Sequence, residues 1–274
     1  MISIIIPFYN VDSVISRCLN SILNQTFVDF EVICINDGST DYSVQYVTEY
    51  KKCDERIRLI SIPHSGPGYA RNLGISLSKG DYILFCDADD FIDKNMLAKM
   101  VINIENNKSD IVCCDFMELC GSLDIKHCLE GDSEFEMFFH EVAIWNKLYR
   151  RDFLVKNCVG FPIAYRGEDR VFLAYCYSKK PIISYEKGFY YHWIKEETNK
   201  NSLNKIVSYE DLVERISNWE QFLVILDENY REVALQNVYE GKIYLESLCQ
   251  HIPDSKEKMS AVNLVADFYK KHFG

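Results

Sequence analysis

Residues 82–90 read Tyr82-Ile83-Leu84-Phe85-Cys86-Asp87-Ala88-Asp89-Asp90, an apolar run that ends in three acidic side chains. The run is short, continuous and apolar, which is typical of a β-strand covered on both faces. Comparable runs occur at 2–6, 30–35, 57–62 and 111–114. We predict that all five are buried strands of one sheet.

Helical patterns separate these runs. Apolar residues recur at spacings of three and four over 15–23, 44–50, 70–77 and 96–104, which predicts amphipathic helices. Strands that alternate with helices at this spacing form a largely parallel sheet with right-handed crossovers. The predicted fold class is therefore α/β, and ligands of such sheets bind beyond the carboxyl ends of the strands.

The remaining chain divides into two parts. Residues 116–205 show short mixed elements, including a strand over 189–193, whereas residues 206–274 contain few glycines or prolines and are predicted to be a helical C-terminal extension. Apolar residues of the extension fall on helical faces, which favours packing against the rest of the chain. Docking on a membrane surface or on a partner chain, including a second copy, is the alternative.

The charge balance excludes one class of partner. The chain has 30 Lys+Arg and 41 Asp+Glu, a formal charge of −11, and the acidic excess is spread along it. A nucleic-acid surface needs basic stripes that displace counterions from phosphates, so no nucleic-acid partner is expected. A phosphorylated ligand would need a metal ion or a few placed cations.

The amino terminus and the cysteines indicate the compartment. The first apolar run has no basic leader and is too short for a signal peptide or a membrane span. The 11 cysteines are odd in number and have no CxxC spacing, which is typical of reduced thiols. We expect a cytoplasmic protein, either free or peripheral on the inner face of the membrane.

The acidic end of the 82–90 run is a candidate metal site. Three carboxylates close together at the mouth of a cleft repel one another unless a cation joins them. Mg²⁺ and Mn²⁺ prefer oxygen ligands and are typically held by one or two carboxylates together with substrate phosphates. A solvated turn that caps the next helix is the alternative interpretation.

Two further loops follow predicted strands. Asp37 could accept the imide N–H of a uracil ring while Tyr9 offers an aromatic surface for stacking, although an Asx turn would use the same residues. Gly66-Pro67-Gly68 precedes a helix that carries Arg71. A nicotinamide dinucleotide site is disfavoured because Arg71 stands where its fingerprint needs a third glycine, but phosphate or ribose oxygens could bind there.

Five motifs occur in order along the first hundred or so residues, and the pattern resumes at two later places. The motifs are Ile4-Ile5-Ile6-Pro7-Phe8-Tyr9-Asn10, Ser21-Ile22-Leu23-Asn24-Gln25-Thr26, Asn36-Asp37-Gly38-Ser39-Thr40-Asp41, Gly66-Pro67-Gly68-Tyr69-Ala70-Arg71-Asn72-Leu73-Gly74-Ile75 and Asp87-Ala88-Asp89-Asp90, followed later by Trp145-Asn146-Lys147-Leu148-Tyr149 and Gly167-Glu168-Asp169. Together they resemble the family 2 glycosyltransferases. The resemblance implies a GT-A fold, with a Rossmann-like, mostly parallel sheet flanked by helices. Residues 1–115 would be its nucleotide-sugar-binding half and residues 116–205 its acceptor-binding half.

The resemblance also implies roles for individual residues. Those that would contact the donor or acceptor are Pro7, Tyr9, Asp37, Gly68, Arg71, Asp87, Trp145 and Glu168. Asp89 would hold Mn²⁺ or Mg²⁺ against the diphosphate, Asp87 would share that ion, and His192 would complete its ligands. Without the resemblance, a lone His among the aromatic residues of a strand, as His192 is, is more often a packed core residue than a ligand.

Asp169 would be the general base, with Glu168 as the alternative. The attacking hydroxyl must lose a proton as it displaces UDP, and a carboxylate within hydrogen-bond reach can take it. Two acids in the first turn of a helix are also favoured by the helix dipole alone. Lys195 and Lys200 follow in a polar segment that could form a lid over the diphosphate.

The implied activity is an inverting, metal-dependent transfer of a hexose or an N-acetylhexosamine. The donor would be a UDP-sugar, and the acceptor a sugar hydroxyl of a saccharide or lipid-linked surface glycan. A non-catalytic nucleotide- or carbohydrate-binding module and an NAD-dependent oxidoreductase are the alternatives. In the family an acid is common at the position of Asn36, and an Asn often occupies the position of His64, so the role of His64 stays open.

Overall fold

The computed structural model describes residues 1–162, 167–195, 208–226, 235, 238–239 and 241–273. Its strands are β1 (Ile2–Phe8), β2 (Phe30–Asp37), β3 (Ile57–Ile62), β4 (Tyr82–Phe85), β5 (Phe91–Ile92), β6 (Ile111–Cys120), β7 (Leu123–His127), β8 (Lys147–Arg150) and β9 (Ile183–Ile194). Its helices are α1 (Ile15–Leu23), α2 (Ser43–Cys53), α3 (Pro67–Leu77), α4 (Met96–Asn106), α5 (Glu134–Phe139), α6 (Arg151–Lys156), α7 (Glu168–Ser178), α8 (Tyr209–Ile225), α9 (Lys242–Gln250) and α10 (Ser255–Phe273). All five predicted strands and all four predicted helices of the first 115 residues are present.

One sheet runs through the molecule in the order β3-β2-β1-β4-β8-β6-β9-β5, with β7 paired to β6. Strands β1 to β4 are mutually parallel, as predicted. The later strands make the sheet mixed, because β8 lies antiparallel between β4 and β6 whereas β9 is parallel to β6. The predicted α/β class is confirmed.

The first half is built around buried strands. Every residue of β2 is buried, and β1 is buried apart from the partly exposed Pro7. Helix α1 covers the sheet with the apolar face that the sequence pattern predicts, on which Ile15, Cys18, Leu19 and Ile22 are buried. Because these strands run parallel, their carboxyl ends meet at one edge of the sheet.

The second half is held to the sheet by the buried Asp115 in β6. Its carboxylate accepts hydrogen bonds from the backbone N–H of Leu129, from the Tyr185 hydroxyl and from the Gly188 N–H. The register between β6 and β9 shifts next to Asp115. This irregular pairing carries the last residues of β9 toward the loop that follows β4, where Phe91 pairs with His192.

The C-terminal helices pack against this core. The face of α8 that the sequence predicts to be apolar is buried, with Leu212, Ile216, Trp219 and Leu223. The Arg170 guanidinium of α7 lies 5.0 Å from the Trp219 ring centroid. The division that makes residues 206–274 a helical C-terminal extension stays a prediction. In the described part of the chain, the helices are too short or too polar to cross a membrane.

Candidate active site

The loops after four parallel strands meet at one edge of the sheet, as the sequence predicts. Pro7 lies opposite Ile35, and Ile5 opposite Phe85, so β1, β2 and β4 end close together. The Tyr9 ring lies over the His64 ring, with centroids 4.4 Å apart. These loops therefore form one continuous surface beyond the strand ends.

Asp37 shapes the glycine loop. The residue is only 4% exposed, and its carboxylate accepts the backbone N–H groups of Ser65 at 2.6 Å and Gly66 at 3.0 Å. Its Oδ2 also lies 2.9 Å from His64 Nδ1. Gly66 has a φ of 89°, a backbone conformation that glycine adopts without steric cost.

Asn36, the neighbour of Asp37, stabilises the turn that follows β2. Asn36 Oδ1 accepts the Ser39 N–H at 2.8 Å, and Asp41 accepts the Ser43 N–H at the start of α2. The turn after β2 is therefore held by Asn36, which bonds three residues on, and the Asx turn, a bond two residues on, is made by Asp41 and not by Asp37. The contact between Asp37 and a uracil ring stays a prediction.

Arg71 lies at the centre of a cluster of three acids. Its Nη2 donates to Asp87 at 3.0 Å, and its Nη1 donates to Glu168 at 2.8 Å and to Asp169 at 3.0 Å. Arg71 is only 4% exposed. Burial opposes its charge but the three carboxylates outweigh this and raise the pKa of Arg71. One buried cation therefore joins α3, the acidic loop after β4 and the first turn of α7.

The two acids at the start of α7 differ in their access to solvent. The Glu168 side chain is buried and bound to Arg71, whereas Asp169 keeps 31% of its side chain exposed. Burial raises the pKa of Asp169 well above its usual value, the charges of Glu168 and Asp87 add to this, and Arg71 opposes it. Burial also raises the pKa of Glu168. The geometry leaves Asp169 as the better placed of the two to meet a substrate.

The expectation that three carboxylates of the acidic loop line a cleft is wrong for Asp90. This residue is 1% exposed, and its carboxylate accepts the Tyr191 hydroxyl at 2.7 Å and the Ile194 N–H at 2.8 Å. Burial, followed by the charges of Asp89 and Asp87, raises its pKa well above the usual value. Asp90 thus ties the loop to β9.

Asp87 and Asp89 remain as candidate metal ligands. Both are partly exposed, and the loop is held by Arg17, whose Nη2 donates to the Asp89 carbonyl at 2.6 Å. Mg²⁺ and Mn²⁺ sites of this kind use one or two carboxylates with substrate phosphates and water. Two partly exposed carboxylates at one strand end fit that description.

The third predicted ligand, His192, is not gathered with them. Its ring stacks on Phe91 with centroids 4.4 Å apart and planes 6° apart, and burial lowers its pKa. Among the described residues, the structure contains no group of three or more His, Cys, Asp or Glu that could hold a metal ion. The structure supports the packed-histidine interpretation, and a metal role for His192 stays a prediction.

Trp145 packs behind the acidic loop through Tyr191. It is 6% exposed and stacks on Tyr191 with centroids 4.2 Å apart. The Tyr191 oxygen in turn accepts the Asp87 N–H at 3.1 Å. This packing makes Trp145 part of the support of Asp87, and its direct contact with substrate stays a prediction.

The structure also gives the surroundings of Gly68 and Lys195. Gly68 is buried in the first turn of α3. Lys195 pairs with Glu118 at 2.9 Å and lies over the Trp193 ring, whereas Lys200 lies outside the described residues.

Sequence reasoning also missed the function of the Ser21–Thr26 motif. Gln25 Nε2 donates to the Asp93 carbonyl at 2.7 Å, and Gln25 Oε1 accepts the Leu97 N–H. The motif therefore holds the segment after the acidic loop. Its presence among the five ordered motifs was a signal, but its partners lie about 70 residues away.

A separate cavity of about 580 Å³ lies in the C-terminal extension. Its lining includes Tyr239, Lys242, Cys249, Val265 and Tyr269. It contains none of the predicted site residues, so the chemistry is assigned to the strand ends instead.

Comparisons with known proteins agree on one family and one fold. The sequence model described as Glycosyl transferase family 2 matches residues 3–151. A poly(ribitol-phosphate) β-glucosyltransferase of Bacillus spizizenii is 35% identical over 69% of this chain and 32% of its own length. The uncharacterized glycosyltransferase EpsJ of Bacillus subtilis is 32% identical over 75% of this chain and 63% of its own length. The chain thus spans less than two thirds of these relatives.

Solved structures share the fold. TarS 1–349 of Staphylococcus aureus, solved in complex with UDP-GlcNAc, superposes with a TM-score of 0.74 at 21% identity, covering 98% of this chain and 91% of that one. The mannosyltransferase PcManGT of Pyrobaculum calidifontis, solved with GDP-Man and Mn²⁺, gives a TM-score of 0.61 at 14% identity, covering 97% of this chain and 75% of that one.

Proposed function

Because this chain belongs to glycosyltransferase family 2, we propose that it is an inverting, metal-dependent enzyme that moves a hexose or an N-acetylhexosamine from a UDP-sugar to a sugar hydroxyl. The acceptor is a saccharide or a lipid-linked surface glycan. The observation that carries the proposal is the Arg71 cluster, which joins Asp87 of the donor half to Asp169 of the acceptor half. A metal-assisted displacement uses a metal-binding group for the donor and a base for the acceptor, and Asp87 and Asp169 can supply these two groups.

The donor assignment rests on Tyr9, which follows β1, and Asp37, which ends the neighbouring β2. Tyr9 is partly exposed next to the His64 ring, and the Asp37 carboxylate accepts the Ser65 and Gly66 N–H groups of the glycine loop. An aromatic face and a carboxylate beside each other suit a uracil ring. The TarS structure was solved with UDP-GlcNAc, and a fold shared with it makes a UDP-sugar the first donor to test.

Asp87 and Asp89 would hold the divalent ion. When bound, Mn²⁺ or Mg²⁺ neutralises charge that builds on the departing diphosphate. The chain itself carries a net charge of −11, so its overall charge disfavours an anionic diphosphate unless a cation binds with it. The buried cation of this cluster, Arg71, is already shared among three carboxylates.

Asp169 would act as the general base. As the acceptor oxygen bonds to the anomeric carbon, the bond from that carbon to the UDP oxygen breaks and the hydroxyl proton passes to the Asp169 carboxylate. Attack opposite the leaving group inverts the anomeric configuration. The raised pKa of Asp169 suits this role because it makes the carboxylate a stronger base.

A panel of UDP-sugars tests the proposal. Each sugar is incubated with the full chain, Mn²⁺ and a set of glycan acceptors, and UDP release and product are measured, with GDP-mannose as the non-uridine control. Transfer from a UDP-sugar with inverted configuration is the expected result. Binding of UDP without any transfer would favour the non-catalytic module, and retention of configuration would exclude Asp169 as the base of a direct displacement.

The surroundings of the enzyme are proposed from the same features. We place the protein in the cytoplasm, either free or peripheral on the inner membrane face. Val224 and Met259 are exposed apolar residues of the C-terminal helices, and they are the positions to alter when testing membrane association or self-association.

A further inference from the structure

Asn72 makes an unusual long-range contact. It follows Arg71 on α3, and its side-chain amide bonds to both backbone groups of one residue 89 positions away. Asn72 Nδ2 donates to the Phe161 carbonyl at 2.8 Å, and Asn72 Oδ1 accepts the Phe161 N–H at 2.8 Å. The amide thus pairs with Phe161 much as a neighbouring strand would, which fixes both the position and the direction of that backbone.

The neighbour of Phe161 leaves room for this contact. A Cβ at Gly160 would lie 2.9 Å from Asn72 Oδ1, which is closer than side chains normally approach. Any other residue at 160 would therefore displace the amide from its two hydrogen bonds. The glycine and the asparagine form one joint between the two halves.

The Phe161 ring contacts the elements on both sides of the candidate active site. Its ring stacks on Phe172 of α7 with centroids 4.0 Å apart and planes 3° apart. It also packs edge-on against Phe85 of β4 at 5.3 Å. Phe85 lies two residues before Asp87, and Phe172 lies three residues after Asp169, so Phe161 is wedged between the elements that carry the acidic loop and the base.

We propose that Asn72 is a positioning residue that sets the separation between the general base Asp169 and the donor-binding Asp87. The inference rests on the proposed function and adds a role for a residue that need not touch substrate. Arg71 balances the charges of the acids, but ion pairs tolerate a range of distances and directions. The two-point amide contact of Asn72 supplies the directional constraint.

The size of the effect follows from the geometry that transfer requires. Reacting groups must stay within hydrogen-bond reach, and a displacement of about 1 Å can cost about 10²-fold in rate. UDP binding is affected less because the uracil contacts are assigned to Tyr9 and Asp37 at the ends of β1 and β2, whereas Phe161 packs on β4 and α7. Asn72→Ala should therefore lower kcat and leave UDP affinity nearly unchanged.

The experiment compares Asn72→Ala and Gly160→Ala with a matched control, Asn157→Ala. Asn157 is also partly buried and donates to the Phe153 carbonyl at 2.8 Å, but within a single helix end. UDP affinity is measured by calorimetry with Mn²⁺, and kcat and KM are measured by UDP release. We expect both joint variants to lose about 100-fold in kcat with UDP affinity within about twofold of wild type, and Asn157→Ala to match wild type.

Two results would overturn the inference. One is a folded Asn72→Ala protein with wild-type kcat, and the other is an equal loss of UDP affinity and kcat, which would indicate general loosening. If Asn72→Ala does not fold, Asn72→Asp replaces it. The carboxylate still accepts the Phe161 N–H but is repelled by the Phe161 carbonyl. The same comparison of kcat with UDP affinity is then made on this variant. If wild type uses a nucleotide sugar other than a UDP-sugar, the proposed donor is wrong, and the Asn72 comparison is made with the donor that is used.

Discussion

Arg71 donates a hydrogen bond to the Asp169 carboxylate over 3.0 Å, although the two residues are 98 positions apart in the sequence. The same guanidinium binds Asp87 and Glu168, so one positive charge faces three negative ones in a mostly buried cluster. Such a cluster is costly unless it is well hydrogen-bonded. Stability alone does not explain the cluster, and the proposed transfer reaction, which uses Asp87 and Asp169, supplies a chemical reason for it.

The first prediction concerns the base itself. Asp169→Asn should lower kcat by about 10²- to 10⁴-fold, the range that general base catalysis supplies, with UDP affinity nearly unchanged. The amide oxygen can still accept from Arg71, so the cluster is preserved. UDP release with a saturating acceptor measures the loss. Glu168→Gln is the control, and a larger loss in that variant than in Asp169→Asn would make Glu168 the base.

The pH dependence of transfer follows from the raised pKa of Asp169. The base acts only when deprotonated, so activity should be present at high pH and fall on acidification, with a midpoint above the usual Asp value. The Glu168 charge is one cause of the raised pKa. Glu168→Gln should therefore move the acid limb of the kcat profile to lower pH, and a shift to higher pH would contradict the assignment.

The metal assignment is tested at Asp89. Loss of one carboxylate ligand should weaken the stabilisation of the leaving diphosphate, so Mn²⁺-stimulated UDP release should fall by about 10²-fold or more in Asp89→Ala. Chelation of the metal should lower wild-type activity but have little further effect on the variant. Asp124→Ala removes an exposed carboxylate of β7 and serves as the control. Unchanged UDP release in Asp89→Ala would refute the assignment.

Tyr191 offers a test of the support beneath the acidic loop. Its hydroxyl accepts the Asp87 N–H and donates to the buried Asp90 carboxylate. Tyr191→Phe should lower the free energy of unfolding by about 2 kcal/mol, because the buried Asp90 side chain loses a hydrogen-bond partner, and should weaken Mn²⁺-dependent UDP binding. The measurements are urea denaturation and calorimetry.

The neighbouring Tyr190 provides the control for that prediction. Its hydroxyl donates to the Lys187 carbonyl at 3.3 Å in an exposed position. Tyr190→Phe should change the unfolding free energy by no more than about 0.5 kcal/mol. Equal effects of the two substitutions would mean that the Tyr191 hydroxyl has no special role.

The parts of the site that could be predicted are those set by strand order. Tyr9 and Asp37 each follow a parallel strand, and parallel strands end at one edge, so their proximity follows from periodicity alone. The family resemblance likewise selected Asp169, which the structure places in the cluster with Asp87 through Arg71.

The parts that could not be predicted depend on distant packing. Asp90 shares the local pattern of Asp87 and Asp89, yet it is buried because Tyr191 and Ile194, about 100 residues later, bring two donors to it. From the sequence, Asn72 was only one residue of a motif. Its partner, Phe161, lies 89 residues later, and only the tertiary fold brings the two together. A local pattern indicates which side chains lie at a strand end but not which of them turn inward.

The last prediction concerns the fully buried Lys147 in β8. Its ammonium donates to the Ala143 carbonyl and to Asn146 Oδ1, and burial lowers its pKa. Between that lowered value and the unfolded value of about 10.4, the unfolded chain holds more protons than the folded one. The wild type should therefore gain stability relative to Lys147→Met as the pH rises through this window, by about 1.4 kcal/mol for each unit by which the pKa is lowered. Urea denaturation near pH 7 and near pH 10 measures the gain, and the exposed Lys99→Met is the control. A difference between wild type and Lys147→Met that stays constant over this range would show that Lys147 titrates in the same way in the folded and unfolded chains.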